Sequence, residues 1–127
     1  MIRVVRLGTP RHADEGVRIG TVRRPPRGVR KEDYASRDYY DSWLPELAPS
    51  PDLMKQGKAV ESQEAWDAFA KKYRSEMAAP EKGRLLDLLA RLSHATQFSV
   101  GCYCEVESRC HRSLLRDLLE ERGGRIV

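Results

Sequence analysis

Phe98 to Arg112 reads FSVGCYCEVESRCHR, and the reading of this stretch decides how the rest of the 127-residue chain is understood. Its first half alternates. Phe98, Val100, Cys102 and Cys104 share one face of an extended chain, while Ser99, Gly101 and Tyr103 share the other. Small and apolar residues on both faces mark a central strand covered on both sides, so a strand is predicted from Gln97 to Cys104. Glu105 to Arg109 reads as a polar loop. From Cys110 to Arg122 a helix is predicted, with Leu114, Leu115, Leu118 and Leu119 facing the core and Gly123-Gly124 as its stop. Strands at both ends of the chain with helices between them point to an α/β architecture.

Working outward, Ile2 to Leu7 is short and β-branched and is predicted as a strand. Val17 to Val22 alternates, with Val17, Ile19 and Thr21 on one face, and is a second strand. About nine residues link the two. Parallel crossovers usually need about a dozen or more, so their relative direction stays open. Arg125-Ile126-Val127 could add a short last strand. Ser50 caps a brief helix that opens at Pro51 and ends at Gly57. Ser62 to Ala78 is the clearest helix, with Trp66, Phe69, Ala70, Tyr73 and Met77 on one face. Pro80 opens another, to His94, with Leu85, Leu88, Leu89 and Leu92 as the expected apolar stripe. Ser36 to Trp43 reads as a short helical turn at best, and Trp43, Leu44 and Leu47 read as core. The expectation is one domain over residues 1–127: a three-layer α/β fold, its mostly parallel central sheet flanked by helices.

A hydrophobic share of 40% beside a charged share of 33% fits a soluble globular chain. No apolar run approaches the ~20 residues that span a bilayer, and MIRVVRLG lacks a signal-peptide core, so a cytoplasmic, non-membrane protein is expected. Three cysteines is an odd count, crowded between positions 102 and 110. That argues for reduced thiols over a secreted disulfide framework. The net charge of +4 is modest and suits a small anionic partner as well as nucleic acid. The local excess is sharper: Arg18, Arg23, Arg24, Arg27, Arg30 and Lys31 run with no acid among them until Glu32.

Ligands of open α/β sheets sit beyond the carboxyl ends of strands. Two segments leave strands at such ends, Arg23 to Gly28 and Glu105 to Arg112. If those strands run parallel, both loops share one edge of the sheet and a compact anion can sit between them. Cys110, at a helix start beside Arg109, His111 and Arg112, has the setting that lowers a thiol pKa and makes a nucleophile. His111 is the candidate proton acceptor. Arg23, Arg27, Arg109 and Arg112 are the candidate anion ligands. The bland alternatives are a half-buried cysteine at a helix start and a solvated basic loop. The C-x5-R loop of cysteine phosphatases is absent, because the sixth position after Cys104 is Cys110 and Arg109 lies seven after Cys102. Two rival readings remain. Cys102, Cys104, Cys110 and His111 form a soft-ligand or redox-thiol set, the redox version pairing Cys104 with Cys110. Alternatively, the basic loop and the following Tyr34, Tyr39, Tyr40 and Trp43 bind nucleic acid, although Trp43 reads better as core. No cofactor is called for. The residues leave open whether the chain is an enzyme, what its reaction is, and how it assembles.

The stretches PRGVRKEDY (Pro26 to Tyr34), WLPELAPSPDLMK (Trp43 to Lys55), WDAFAKKYRSEM (Trp66 to Met77) and CHRSLLRDLL (Cys110 to Leu119) resemble the domain-of-unknown-function 488 family. The likeness runs in order over nearly the whole chain. It implies a small bacterial α/β protein with a site where the arginine loop meets the CHR helix start, and it implies no particular reaction. Val22 stands where members commonly carry an aspartate before the arginine matched by Arg23, and Pro25 stands where they commonly carry tryptophan. An aspartate there could orient the arginine, and this chain lacks it.

Overall fold

A computed structural model describes residues 1–127. Its centre is a four-stranded sheet in the order β1-β4-β2-β3, with β1 spanning Ile2–Arg6, β2 Val17–Gly20, β3 Ser42–Trp43 and β4 Phe98–Cys102. Every pairing is parallel. β4 is central and buried along its whole length, as its two-sided apolar pattern requires. The direction left open by the short link is thereby settled. β1 and β2 are not neighbours; both lie parallel to β4, which separates them, and the chain between them crosses as irregular coil.

Four helices follow: α1 Pro51–Lys58, α2 Gln63–Met77, α3 Pro80–Leu92 and α4 His111–Glu121. The Ser50 and Ser62 hydroxyls cap α1 and α2 by accepting from the Leu53 and Ala65 amides. All four helices contribute to one core with Ile2, Phe98 and Val100 of the sheet, through Leu53, Phe69, Leu86 and Leu115 among others. This is the three-layer α/β fold. The third layer, over the opposite sheet face, is coil with a single 3-10 turn at Lys31–Asp33. Gly20 lets the coil layer approach closely: a Cβ there would strike the Tyr40 ring.

Several expectations are corrected. The 36–43 segment is not helical; Ser42 and Trp43 form the edge strand β3 against Ile19 and Gly20. Trp43 is not core: it is 44% exposed, with its indole N–H donating to the Val22 carbonyl at 2.7 Å, whereas Leu47 is fully buried. Leu86, Leu89 and Ala90 form the buried stripe of α3, and Leu88 and Leu92 point to solvent. Val17 is half exposed, while Arg18 on the opposite face of β2 is fully buried. The C-terminal strand amounts to one bridge between Ile126 and Ile2.

Arg18 is held by an ion pair inside the coil layer. Its Nε and Nη2 donate to the two Glu15 carboxylate oxygens at 2.6 and 3.0 Å, and its Nη1 donates to the carbonyls of Thr9 and Asp38 at 2.8 and 2.7 Å. Ser99 of β4 and the His12 amide donate to the same carboxylate at 2.6 and 3.0 Å. Burial alone would raise the Glu15 pKa. The bonds from Arg18, Ser99 and His12 outweigh it and bring the pKa down to about 2.

Candidate functional site

Because β2 and β4 are adjacent and parallel, the chain leaves both at one edge of the sheet. The loop after β2 carries Arg23, Arg24 and Arg27; the loop after β4 carries Cys104 and Arg109 and leads to Cys110 and His111. These residues line one pocket of about 710 Å³. Its wall holds six cations, Arg23, Arg24, Arg27, Lys55, Lys58 and Arg109, and no carboxylate. Phe69 and Met54 supply apolar wall. A volume of this size suits a metabolite-sized ligand.

Cys110 is the N-cap residue of α4, in extended conformation, and makes no side-chain cap bond. Its thiol is buried, and its sulfur meets that of Cys102 at the end of β4, the two Cα atoms lying 7.9 Å apart. The redox pairing expected between Cys104 and Cys110 is therefore corrected. Cys102 is the thiol beside Cys110, and Cys104 is exposed and free because β4 ends two residues before it.

His111 is buried under the Tyr73 ring, whose centroid is 5.7 Å away, and its Nε2 lies 2.7 Å from the Thr21 carbonyl. A carbonyl only accepts, so Nε2 carries the proton and Nδ1 keeps its lone pair. That nitrogen lies 3.9 Å from the Cys110 sulfur. Burial drives the His111 pKa down to about 4, with the positive Arg112 adding to the fall and the bond to Thr21 opposing it. At neutral pH the ring is thus a neutral imidazole whose open nitrogen faces sulfur.

The arginines divide. Arg27 is exposed on the pocket wall with no side-chain bond to the protein. Arg109 lies over the Trp66 ring at 5.8 Å, and Trp66 stacks in turn on Phe69, so α2 supports that wall. Arg23 is half-buried and donates to the Pro49 and Ala48 carbonyls at 3.0 and 3.2 Å. These carbonyls orient it. Arg112 is not among the pocket-lining residues; it is buried in the first turn of α4. There its Nη1 donates to the Val5 carbonyl at 3.1 Å, and its Nε has no partner. Of the tyrosines offered as a stacking platform, Tyr40 is buried and packs edge-on to Tyr34, and Tyr39 reaches the pocket while packing on Tyr103.

Lys55 and Lys58 are pocket residues that the sequence reading passed over. Their spacing puts both on one side of α1, the only local signal available. The Glu15–Arg18 pair has no such signal, and by sequence Arg18 counts only as the first residue of the basic run that ends at Lys31.

Fold and pocket together define a small parallel α/β protein with a basic, thiol-bearing cleft at the carboxyl edge of its sheet. A family model described as "Active DUF488-N3 subclade" matches residues 2–123, and the chain belongs to that DUF488 family. No curated protein and no solved structure matches the chain. No helix is long and apolar enough to cross a membrane.

Proposed function

We propose that the pocket binds a compact anionic ligand, such as a phosphate-, sulfate- or carboxylate-bearing metabolite, and that its reactivity is thiol-dependent. The observation that carries this reading is the composition of the wall: six cations, no carboxylate, and a Cys110–His111 pair among them. Uncompensated cations around one cavity raise the local concentration of anions and favour a thiolate over a thiol. Arg23, Arg27 and Arg109 contribute charge, with Arg23 pre-oriented by its carbonyl partners. Cys110 supplies the thiolate, its proton passing to solvent, while the low His111 pKa keeps Nδ1 an unprotonated hydrogen-bond acceptor facing the sulfur. The subclade is described as active, which accords with a pocket that keeps both groups.

The test is calorimetric titration of the reduced protein with inorganic phosphate, sulfate and a nucleoside monophosphate at two salt concentrations. Saturable, salt-sensitive binding that weakens about tenfold in Arg27→Ala, equivalent to about 1.4 kcal/mol, is expected. Equal heats for wild type and variant would overturn the reading. Iodoacetamide labelling across pH adds the thiol arm: Cys110 should react with an apparent pKa well below the ordinary ~8.5.

A further inference from the structure

We infer that Cys102, Cys110 and His111 form a binding site for a soft divalent cation, zinc in the first instance, with its fourth coordination position open to the anion pocket. Three groups converge from different elements: Cys102 from the end of β4, Cys110 from the N-cap of α4, and His111 from the first turn of that helix. Their two Sγ atoms and a ring nitrogen of His111 all lie within 4.8 Å of one another, and each residue is buried. Zinc bonds of about 2.3 Å to sulfur and about 2.0–2.1 Å to nitrogen set tetrahedral ligands about 3.6–3.8 Å apart. The 3.9 Å from the Cys110 sulfur to the His111 Nδ1 is close to that edge, whereas the Cys102 and Cys110 sulfurs lie closer together than it, so a shared ion would part them by side-chain rotation.

Two further observations separate a shared ion from a plain thiol pair. The Cys102 and Cys110 Cα atoms are 7.9 Å apart. Disulfides hold Cα atoms within about 4.4–6.8 Å, so a covalent link would require the backbone to move, whereas two thiolates on one ion do not. The second observation is the Thr21 carbonyl. By accepting from Nε2–H it fixes the ring so that Nδ1 is the free donor and is aimed at the sulfurs. A hydrogen bond on the far ring nitrogen is the usual support of a metal-bound histidine. Thr21 is itself anchored, its hydroxyl donating to the Gly101 carbonyl at 3.0 Å, next to Cys102.

Two thiolates and one imidazole with a fourth position left over is a catalytic type of zinc set, because a closed structural site uses four protein ligands. On binding, the two thiols release their protons to solvent and the imidazole binds neutral, so the charge of the cation is cancelled by its ligands. An anion from the pocket, or a water, completes the coordination. The anion reading stands with or without the metal. With the metal bound, Cys110 serves as a ligand and the reacting group is the one held at the fourth position.

The experiment uses the full chain, reduced and purified without chelator. Elemental analysis should find about one zinc per chain. After zinc removal, cobalt(II) alone should restore an intense near-ultraviolet thiolate-to-cobalt band. That band should be lost in Cys102→Ser and in His111→Ala and kept in Cys104→Ser, with circular dichroism reporting the fold of each variant. Absence of metal together with no cobalt band would overturn the inference, as would a band that survives Cys102→Ser or is lost in Cys104→Ser. If a variant fails to fold, the wild-type chain decides in its place: bound zinc or cobalt(II) should protect Cys102 and Cys110, and not Cys104, from iodoacetamide, read by mass spectrometry of the labelled peptides. Equal labelling of all three with and without metal would count against the site. Phosphate titration of Arg27→Ala runs in parallel, so loss of the anion reading and loss of the metal site give separate results.

Discussion

Arg18 and Arg23 stand five residues apart, yet the structure uses them in opposite ways. Arg18 lies in a closed network: a carboxylate takes two of its nitrogens and two carbonyls take the third. Around Arg23 is a wall where cations outnumber acids by six to none. The first arrangement has no capacity left for a ligand. The second has charge that the protein leaves uncompensated, and an anion would compensate it. The guanidinium group is the same in both, and its surroundings decide whether it stabilises the fold or recruits something to it.

The contrast can be broken most forcefully at the closed end. Arg18→Met should destabilise by about 3–5 kcal/mol in denaturant unfolding, because it strands the Glu15 carboxylate in the interior. Adding Glu15→Gln to Arg18→Met should recover part of that loss. A double variant no better than the single would show that the pair is not coupled.

Acid should act on the same network. Glu15 titrates at about 2 in the folded chain, against 4.5 as its ordinary value. Its folded pKa is depressed, so its contribution is present above about 4.5 and is lost as pH falls through that value towards about 2. Stability measured from pH 6 to pH 2 should fall over this window, and Glu15→Gln should flatten the fall. An unchanged slope in the variant would exclude Glu15 as the group responsible.

At the open end the effects on stability shrink while those on binding grow. Arg23→Ala removes two hydrogen bonds to carbonyls and should cost about 1–2 kcal/mol of stability as well as anion affinity. Arg27→Ala, exposed and unpaired, should leave stability within about 0.5 kcal/mol while weakening phosphate binding. A thermal shift as large for Arg27→Ala as for Arg23→Ala would erase the distinction drawn between them.

The parts that could be read from sequence were those where one element carries its own signal. β4 declared itself because both faces are apolar, and α2 because its aromatics recur on one side. The meeting of two loops at one edge followed from parallel strands, which the sequence allowed but did not require. The stripe of α3 was misjudged for a definable reason. Leucines at 85, 86, 88, 89 and 92 serve two faces equally well, and only packing against α4 and the sheet chooses Leu86 and Leu89. β3 is two residues long, too short to show any period. The Glu15–Arg18 network and the turning of Arg112 into the protein depend on contacts made across the fold, with Ser99 and Val5 respectively. Nothing local announces them.

The order of the strands has a consequence for how this protein comes into being. The innermost strand is the last to be synthesised, and the two that flank it cannot pair with each other because its place lies between them. Between Gly20 and Phe98 the ribosome must add 77 residues (21 to 97), which at about 5–20 residues per second takes roughly 4–15 seconds. During that interval β1 has no native strand to pair with, and β2 has only the two-residue edge strand β3. The sheet can close only after β4 emerges, and its pairings join segments far apart in the chain, which is the slow kind of contact to make.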